Sequence, residues 1–170
     1  MIYVCDMDHT ISDASRRCQD IFGCPKVLDN HPATPDQWDA FFDPQRMLED
    51  TPIRLAVRCV KKFRDTGKIA ICTGRLQKRR RETRQWLDHH DIQYSWLFMR
   101  PEWCSNGLDF KCATISNLRE MFPDQRIVVF DDDSRVLEAV SPLPDIEAHL
   151  APGCWDHEYR LLFRNHHDNG

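Results

Sequence analysis

Short apolar runs, each ended abruptly by polar or charged residues, recur along the chain. Ile2-Tyr3-Val4-Cys5 stops at Asp6 and Asp8, and Ile69-Ala70-Ile71-Cys72 stops at Thr73-Gly74-Arg75. The run over 94–99 stops at Arg100-Pro101, Ile127-Val128-Val129-Phe130 enters Asp131-Asp132-Asp133, and a weaker run covers 146–150. Continuous apolar runs of this length read as strands buried on both faces of a parallel sheet. Pro101 bars simple continuation in a central strand. Between the strands the apolar period changes to that of helices. Residues 53–65 place Ile53, Val57, Val60 and Phe63 on one face, with Gly67 as a stop signal. Further helices are predicted over 76–90, with Trp86 and Leu87 turned inward, from Lys111 to just before Pro123, and over 134–140. The tail carrying His157, His166 and His167 reads as peripheral, with spacing that provides no metal site.

Strand and helix in alternation predict an α/β fold: a Rossmann-like parallel sheet with helices on both faces. Ligands in such folds bind outside the carboxyl ends of the strands. Asp6, Asp8, Thr73, Arg100, Asp131 and Asp132 should therefore converge on one edge. Residues 12–50 interrupt the alternation. A short helix over 12–22 is followed by Gly23, Pro25, Pro32, Pro35 and Pro44, which break the segment into loops and turns. Residues 35–42 open like a helix with proline in its first turn. Trp38, Phe41 and Phe42, at i, i+3 and i+4, form either a packing face or a platform for a base or sugar. The segment reads as a small cap inserted over the strand ends of a single domain spanning 1–170.

Composition narrows the class. With 41% hydrophobic and 29% charged residues and a net charge of −4, the chain reads as an ordinary soluble protein, not one that coats nucleic acid by bulk charge. No apolar run is long enough to span a bilayer, and Asp6 and Asp8 interrupt the one apolar N-terminal segment, so neither a membrane span nor a signal peptide is expected. The eight cysteines at 5, 18, 24, 59, 72, 104, 112 and 154 include no CxxC pair. They read as free thiols acting as small hydrophobes in a reducing, cytoplasmic compartment.

The acidic pair at the first strand end has no packing role. Carboxylates at i and i+2 raise each other's pKa unless a cation lies between them. Mg²⁺, which favours one or two carboxylates with waters and phosphate oxygens, is the natural counter-charge. Arg75 and Arg100 are planar forks suited to phosphate, and the basic run Lys78, Arg79, Arg80, Arg81 and Arg84 spans more than one helix face. Asp133 reads as a helix-capping acid.

Taken together, Asp6-x-Asp8-x-Thr10, a strand ending in Thr73, Lys111, and the acidic pair Asp131-Asp132 resemble, in order and spacing, the four motifs of the haloacid dehalogenase (HAD) superfamily of phosphotransferases. His9 stands where that family usually has glycine. Thr73-Gly74-Arg75, residues 81–87, Phe98-Met99-Arg100-Pro101, Lys111 and Asp131-Asp132 are further similar to the phosphatase domain of phage-type polynucleotide kinase 3′-phosphatases. The chain has no GxxxxGK[ST] phosphate cradle, so no ATP-dependent 5′-kinase activity is expected. The resemblance implies a Mg²⁺-dependent phosphatase with Asp6 as nucleophile and Asp8 as acid and base. Thr73 and Lys111 would steady the phosphoryl group, with Thr10, Gly74, Arg75 and Arg100 toward substrate. Asp6, the Asp8 carbonyl, Asp131 and Asp132 would hold the metal. Its substrate would be a phosphorylated nucleotide or nucleic acid end. A 5′-nucleotidase or small-metabolite phosphatase is an alternative on the same scaffold, and a catalytically idle nucleotide-binding protein is an alternative of another class.

Overall fold

The computed structural model describes residues 1–28 and 31–163; His166 and His167 lie outside the described residues. The chain opens with β1 (Ile2–Cys5), then β2 (Ser12–Asp13) and α1 (Ser15–Phe22). Helices α2 (Pro35–Phe41) and α3 (Pro44–Leu48) lead to β3 (Thr51–Pro52) and α4 (Arg54–Phe63). β4 (Lys68–Leu76) is followed by one 3₁₀ turn, Gln77–Arg79, and by α5 (Arg80–His89). The remainder is β5 (Trp96–Arg100), α6 (Gly107–Met121), β6 (Ile127–Asp131), α7 (Ser134–Val140), β7 (Ile146–Leu150) and α8 (Trp155–Phe163).

Five strands form a parallel sheet in the order β5-β4-β1-β6-β7, so β1 is central, with β4 and β6 on its two sides. Alternate residues of each strand enter opposite layers, which accounts for the unbroken apolar runs. Tyr3, Cys5, Ile69, Ile71 and Phe130 pack with α4, α5 and α8; Ile2, Val4, Ala70, Ile127 and Val129 pack with α6 and α7. The α/β architecture with helices on both faces is the one the hydropathy pattern predicts. Successive strands are added first on one side of β1 and then on the other, and a switch point of this kind puts the ligand crevice at the carboxyl end of the sheet beside that strand.

Several boundaries move for identifiable reasons. β4 does not stop at Cys72; a register shift against β5 between Thr73 and Leu76 carries the polar residues onward as strand. Thr73 therefore does not sit at a helix N-terminus. α6 starts at Gly107, ahead of Lys111, because the Asn106 side chain accepts the Leu108 amide and caps it. Gly67 follows α4 and lies under the first residue: a Cβ there would come 2.6 Å from the Met1 carbonyl oxygen, so close approach requires glycine.

The described part of the tail is anchored to the core at Trp155, while His157 is exposed. α8 packs on α4, and Trp155, only 1% exposed, stacks on Phe130 at 4.6 Å between ring centroids. Between β2 and β3, α1 and α2 form a small cluster of their own around Cys18 and Phe41, with Phe22, Val27, Trp38 and Phe42 against it. Thr34 and Gln37 close a reciprocal capping box on α2. All eight cysteines are free, and burial pushes the Cys59 and Cys154 thiols up to about 12, so they behave as apolar filling. Among the described residues no helix is long and apolar enough to cross a membrane.

Candidate active site

β1 delivers Asp6 to the sheet edge, where its amide still donates to the Phe130 carbonyl of β6 at 3.0 Å. The chain then folds into a tight loop in which the amides of Thr10, Ile11 and Ser12 all donate to the Met7 carbonyl. His9 takes φ +62° in this loop, a left-handed conformation that suits glycine and accounts for glycine being usual there in the family it resembles. Its ring is largely buried and meets the Cys18 Sγ at 3.4 Å, and burial lowers its pKa.

Asp6 is 4% exposed and faces Lys111, whose Nζ lies 3.0 Å from its Oδ1 and 2.9 Å from Asp131 Oδ2. Burial drives the Asp6 carboxyl well above its usual range even against the Lys111 charge. Burial also opposes the Lys111 charge, but Asp131 and Asp6 outweigh it and raise its pKa. Carboxylate oxygens of Asp6, Asp131 and Asp132 all lie within 4.8 Å of one another. Three hard oxygen donors at this spacing suit Mg²⁺. Lys26 of the insertion reaches the same group, its Nζ 2.8 Å from both the Asp132 carbonyl oxygen and Oδ2. Asp133 caps α7 by accepting the Arg135 amide, as expected.

Asp8 lies in different surroundings from Asp6. Arg75 grips it through Nε at 3.1 Å and Nη2 at 2.6 Å, and Arg17 of α1 pairs with it from the other side. Both arginines also hold Asp50, Arg17 through Nε at 2.9 Å and Arg75 through Nη2 at 3.3 Å. Arg17 Nη1 donates to the Phe41 carbonyl at 2.8 Å, and its guanidinium lies over the Phe41 ring. Burial pushes the Asp8 carboxyl up, but the two guanidinium groups prevail and hold it well below the usual carboxylate range. Side-chain oxygens for a metal thus come from Asp6, Asp131 and Asp132, while the Asp8 carboxylate is committed to arginines.

Beside these groups opens a cavity of about 290 Å³. Asp6, Asp8, Thr73, Gly74, Lys111 and Asp132 are among its polar lining. Val27, Leu28, Trp38, Phe41, Phe42, Leu76 and Leu108 supply an apolar wall, much of it from the insertion. Arg100 also lines it, with Nε and Nη1 donating to the carbonyls of Gly74 and Cys104 at 3.0 and 2.8 Å. Gly74 leaves open space where a Cβ would be.

Two residues expected to face substrate do not. Arg75 is completely buried behind Asp8 and does not line the cavity. Thr10 is buried too; its hydroxyl donates to Asp6 Oδ2 at 3.4 Å and its carbonyl accepts from Trp155. Sequence reasoning missed Arg17, Lys26 and Asp50. Arg17 and Lys26 lie in the segment read as loops and cap, and the one legible signal was an arginine amid the apolar positions of 12–22.

No protein-family model and no curated protein sequence matches this chain. Solved structures do match. A haloacid dehalogenase-like family hydrolase from Streptococcus pneumoniae aligns with a TM-score of 0.57 at 11% identity, over 87% of this chain and 92% of its own. A HAD-superfamily hydrolase of subfamily IA, variant 1, from Geobacter sulfurreducens PCA gives 0.52 at 13%, over 95% and 94%. The fold is that of HAD hydrolases. A chain in the Pnkp1/Rnl/Hen1 RNA repair complex shares it, with a TM-score of 0.58 and 17% identity over 88% of this chain. This chain spans only 41% of that one. On the HAD fold, the acidic cluster of Asp6, Asp131 and Asp132 stands at the carboxyl end of the sheet, beside the central strand.

Proposed function

We propose that this protein is a Mg²⁺-dependent phosphomonoesterase that works through an aspartyl-phosphate on Asp6 and removes 3′-phosphates from nucleic acid ends or nucleotides. One observation carries this reading: Asp6 meets Lys111, Asp131 and Asp132 beside a cavity that Asp6, Lys111 and Asp132 line together with aromatic and apolar side chains. The polar lining suits a phosphate and the apolar wall a nucleoside. The shared fold with a chain of an RNA repair complex supports a nucleic-acid substrate.

In the first step an Asp6 carboxylate oxygen bonds to phosphorus as the ester oxygen departs with a proton from Asp8. Asp8 must take up that proton on substrate binding against the pull of Arg17 and Arg75. In the second, Asp8 takes a proton from water, whose oxygen attacks phosphorus and breaks the bond to Asp6, freeing phosphate. Arg17 and Arg75 hold Asp8 in place and favour its carboxylate form, which is the base of the second step. Lys111 and Thr73 set charge and a hydroxyl against the phosphoryl oxygens. Asp6, Asp131, Asp132 and the Asp8 carbonyl are the groups to hold Mg²⁺, which when bound offsets repulsion between the nucleophile and the phosphate. Residues 12–50 act as the cap, placing Trp38, Phe41 and Phe42 beside the leaving group.

The test is a substrate panel: 3′-phosphorylated DNA and RNA oligonucleotides, nucleoside 3′- and 5′-monophosphates, and an aryl phosphate, each with Mg²⁺ and with chelator. The 3′-phosphorylated substrates should have the highest kcat/KM and lose all turnover with chelator. Preference for 5′-monophosphates would overturn the 3′ assignment.

A further inference from the structure

The phosphoryl chemistry makes no use of the basic run at the start of α5. Its density is unusual: in a chain of net charge −4, Lys78, Arg79, Arg80, Arg81 and Arg84 fall within seven positions. Its location is unfavourable for the helix itself. Arg80 and Arg81 occupy the first turn of α5, where the macrodipole is positive and cations destabilise. Neighbouring acids do little to offset this. Arg81 is 88% exposed with one contact to Glu82 at 3.2 Å, and Arg84 is exposed and has no ion pair among the described residues. Arg79 and Arg80 each keep a buried Nε without a hydrogen-bond partner. Arg80, Arg81 and Arg84 line a surface groove with Gln85 and the carboxylate of Asp88.

The start of the basic run lies close to the catalytic cavity, although groove and cavity share no lining residue. Leu76 lines the cavity, and two residues later Lys78 reaches Asp39, which also lines it, at 3.6 Å. From Arg80 to Arg84 the helix backbone rises a further ~6 Å. A polynucleotide whose 3′ end occupies the cavity must leave by its 5′ side, carrying a phosphodiester at every step. The exposed forks of Arg81 and Arg84, a few residues beyond the cavity-lining Leu76, match that charge, with half-buried Arg80, between them and Leu76 in the chain, held by its bond to the Leu97 carbonyl.

We propose that the groove along Arg80, Arg81 and Arg84 is a track for the phosphodiester backbone upstream of the reacting 3′ end, making a single-stranded polynucleotide the preferred substrate over a mononucleotide. This rests on reading the cavity as a site for a 3′-phosphorylated end.

The test compares wild type with Arg81→Gln/Arg84→Gln on a 3′-phosphorylated oligonucleotide and on the matching nucleoside 3′-monophosphate. Binding of the 3′-hydroxyl oligonucleotide is followed in parallel by fluorescence anisotropy across salt concentrations. Wild type should favour the oligonucleotide. The double variant should lose about tenfold in kcat/KM on the oligonucleotide and nothing on the mononucleotide. Its log-log salt slope for binding should become shallower by about 1.4, two single-strand phosphate contacts at about 0.7 each. Arg81→Lys/Arg84→Lys should retain most of the preference, which separates charge from folding. Equal loss on both substrates, or an unchanged oligonucleotide affinity and salt slope, would overturn the track. If wild type hydrolyses neither substrate, the 3′-phosphatase reading fails, while the anisotropy arm still decides whether the arginines bind the strand.

Discussion

The indole N–H of Trp155 donates to the main-chain carbonyl of Thr10 at 2.9 Å, although 145 positions separate them. The last described helix thereby braces the loop that carries Asp6 and Asp8, and the Thr10 hydroxyl passes that bracing to the Asp6 carboxylate. Trp155→Phe keeps a ring against Phe130 but removes the donor to the buried Thr10 carbonyl and part of the buried ring volume, so it should cost about 1–3 kcal/mol in urea unfolding. Trp155→Ala should cost roughly 3–5 kcal/mol. A variant pair with equal stability would show that the loop does not depend on α8.

Arg17 ties the insertion to Asp8 and Asp50 at once. Arg17→Gln removes a cation shared by buried Asp50 and half-buried Asp8. It should reduce kcat by about 10²-fold, the lower end of what acid and base catalysis contributes. KM should stay within a few-fold, and Arg17→Lys should rescue little, since an ammonium lacks the planar fork. Steady-state kinetics beside a thermal melt separates this from simple unfolding.

Lys26 competes for Asp132, since its ammonium occupies a carboxylate oxygen of the acidic cluster. Lys26→Met should tighten Mg²⁺ binding by up to about fivefold, the equivalent of an exposed ion pair of about 1 kcal/mol. Calorimetric titration of Mg²⁺ into both proteins measures it without turnover. Weaker binding in the variant would mean that Lys26 helps to build the metal site.

His9 is the residue of the loop whose conformation suits glycine. His9→Gly should leave stability within about 1 kcal/mol, because the relieved backbone offsets the lost ring packing. It should also widen the cavity mouth, raising kcat/KM for a bulky aryl phosphate relative to a small alkyl phosphate.

The parallel sheet was legible because β1, β4 and β6 are buried on both faces, and short unbroken apolar runs fit little else in a folded α/β chain. Asp6, Asp131 and Asp132 stand out for a related reason, since charge placed where a buried strand ends is costly without a partner, whereas Lys111, inside α6, is marked only by the family resemblance. Arg75 was misread as substrate-facing because the sequence shows its charge but not the buried partners Asp8 and Asp50 that absorb it. Arg17 was hidden in the same way, since its partners lie 9 and 33 positions away. α8 was overlooked because its helix has a single fully buried anchor, Trp155, on an otherwise mixed surface. Such long-range pairings leave no periodic trace in the chain.

The nucleophilic role of Asp6 can be tested by acid-quenching wild type and Asp6→Asn during turnover of a 3′-phosphate-labelled oligonucleotide with Mg²⁺. Wild type should retain label on the peptide bearing Asp6 and release phosphate, and Asp6→Asn should do neither. Phosphate release by Asp6→Asn at the wild-type rate would contradict the account.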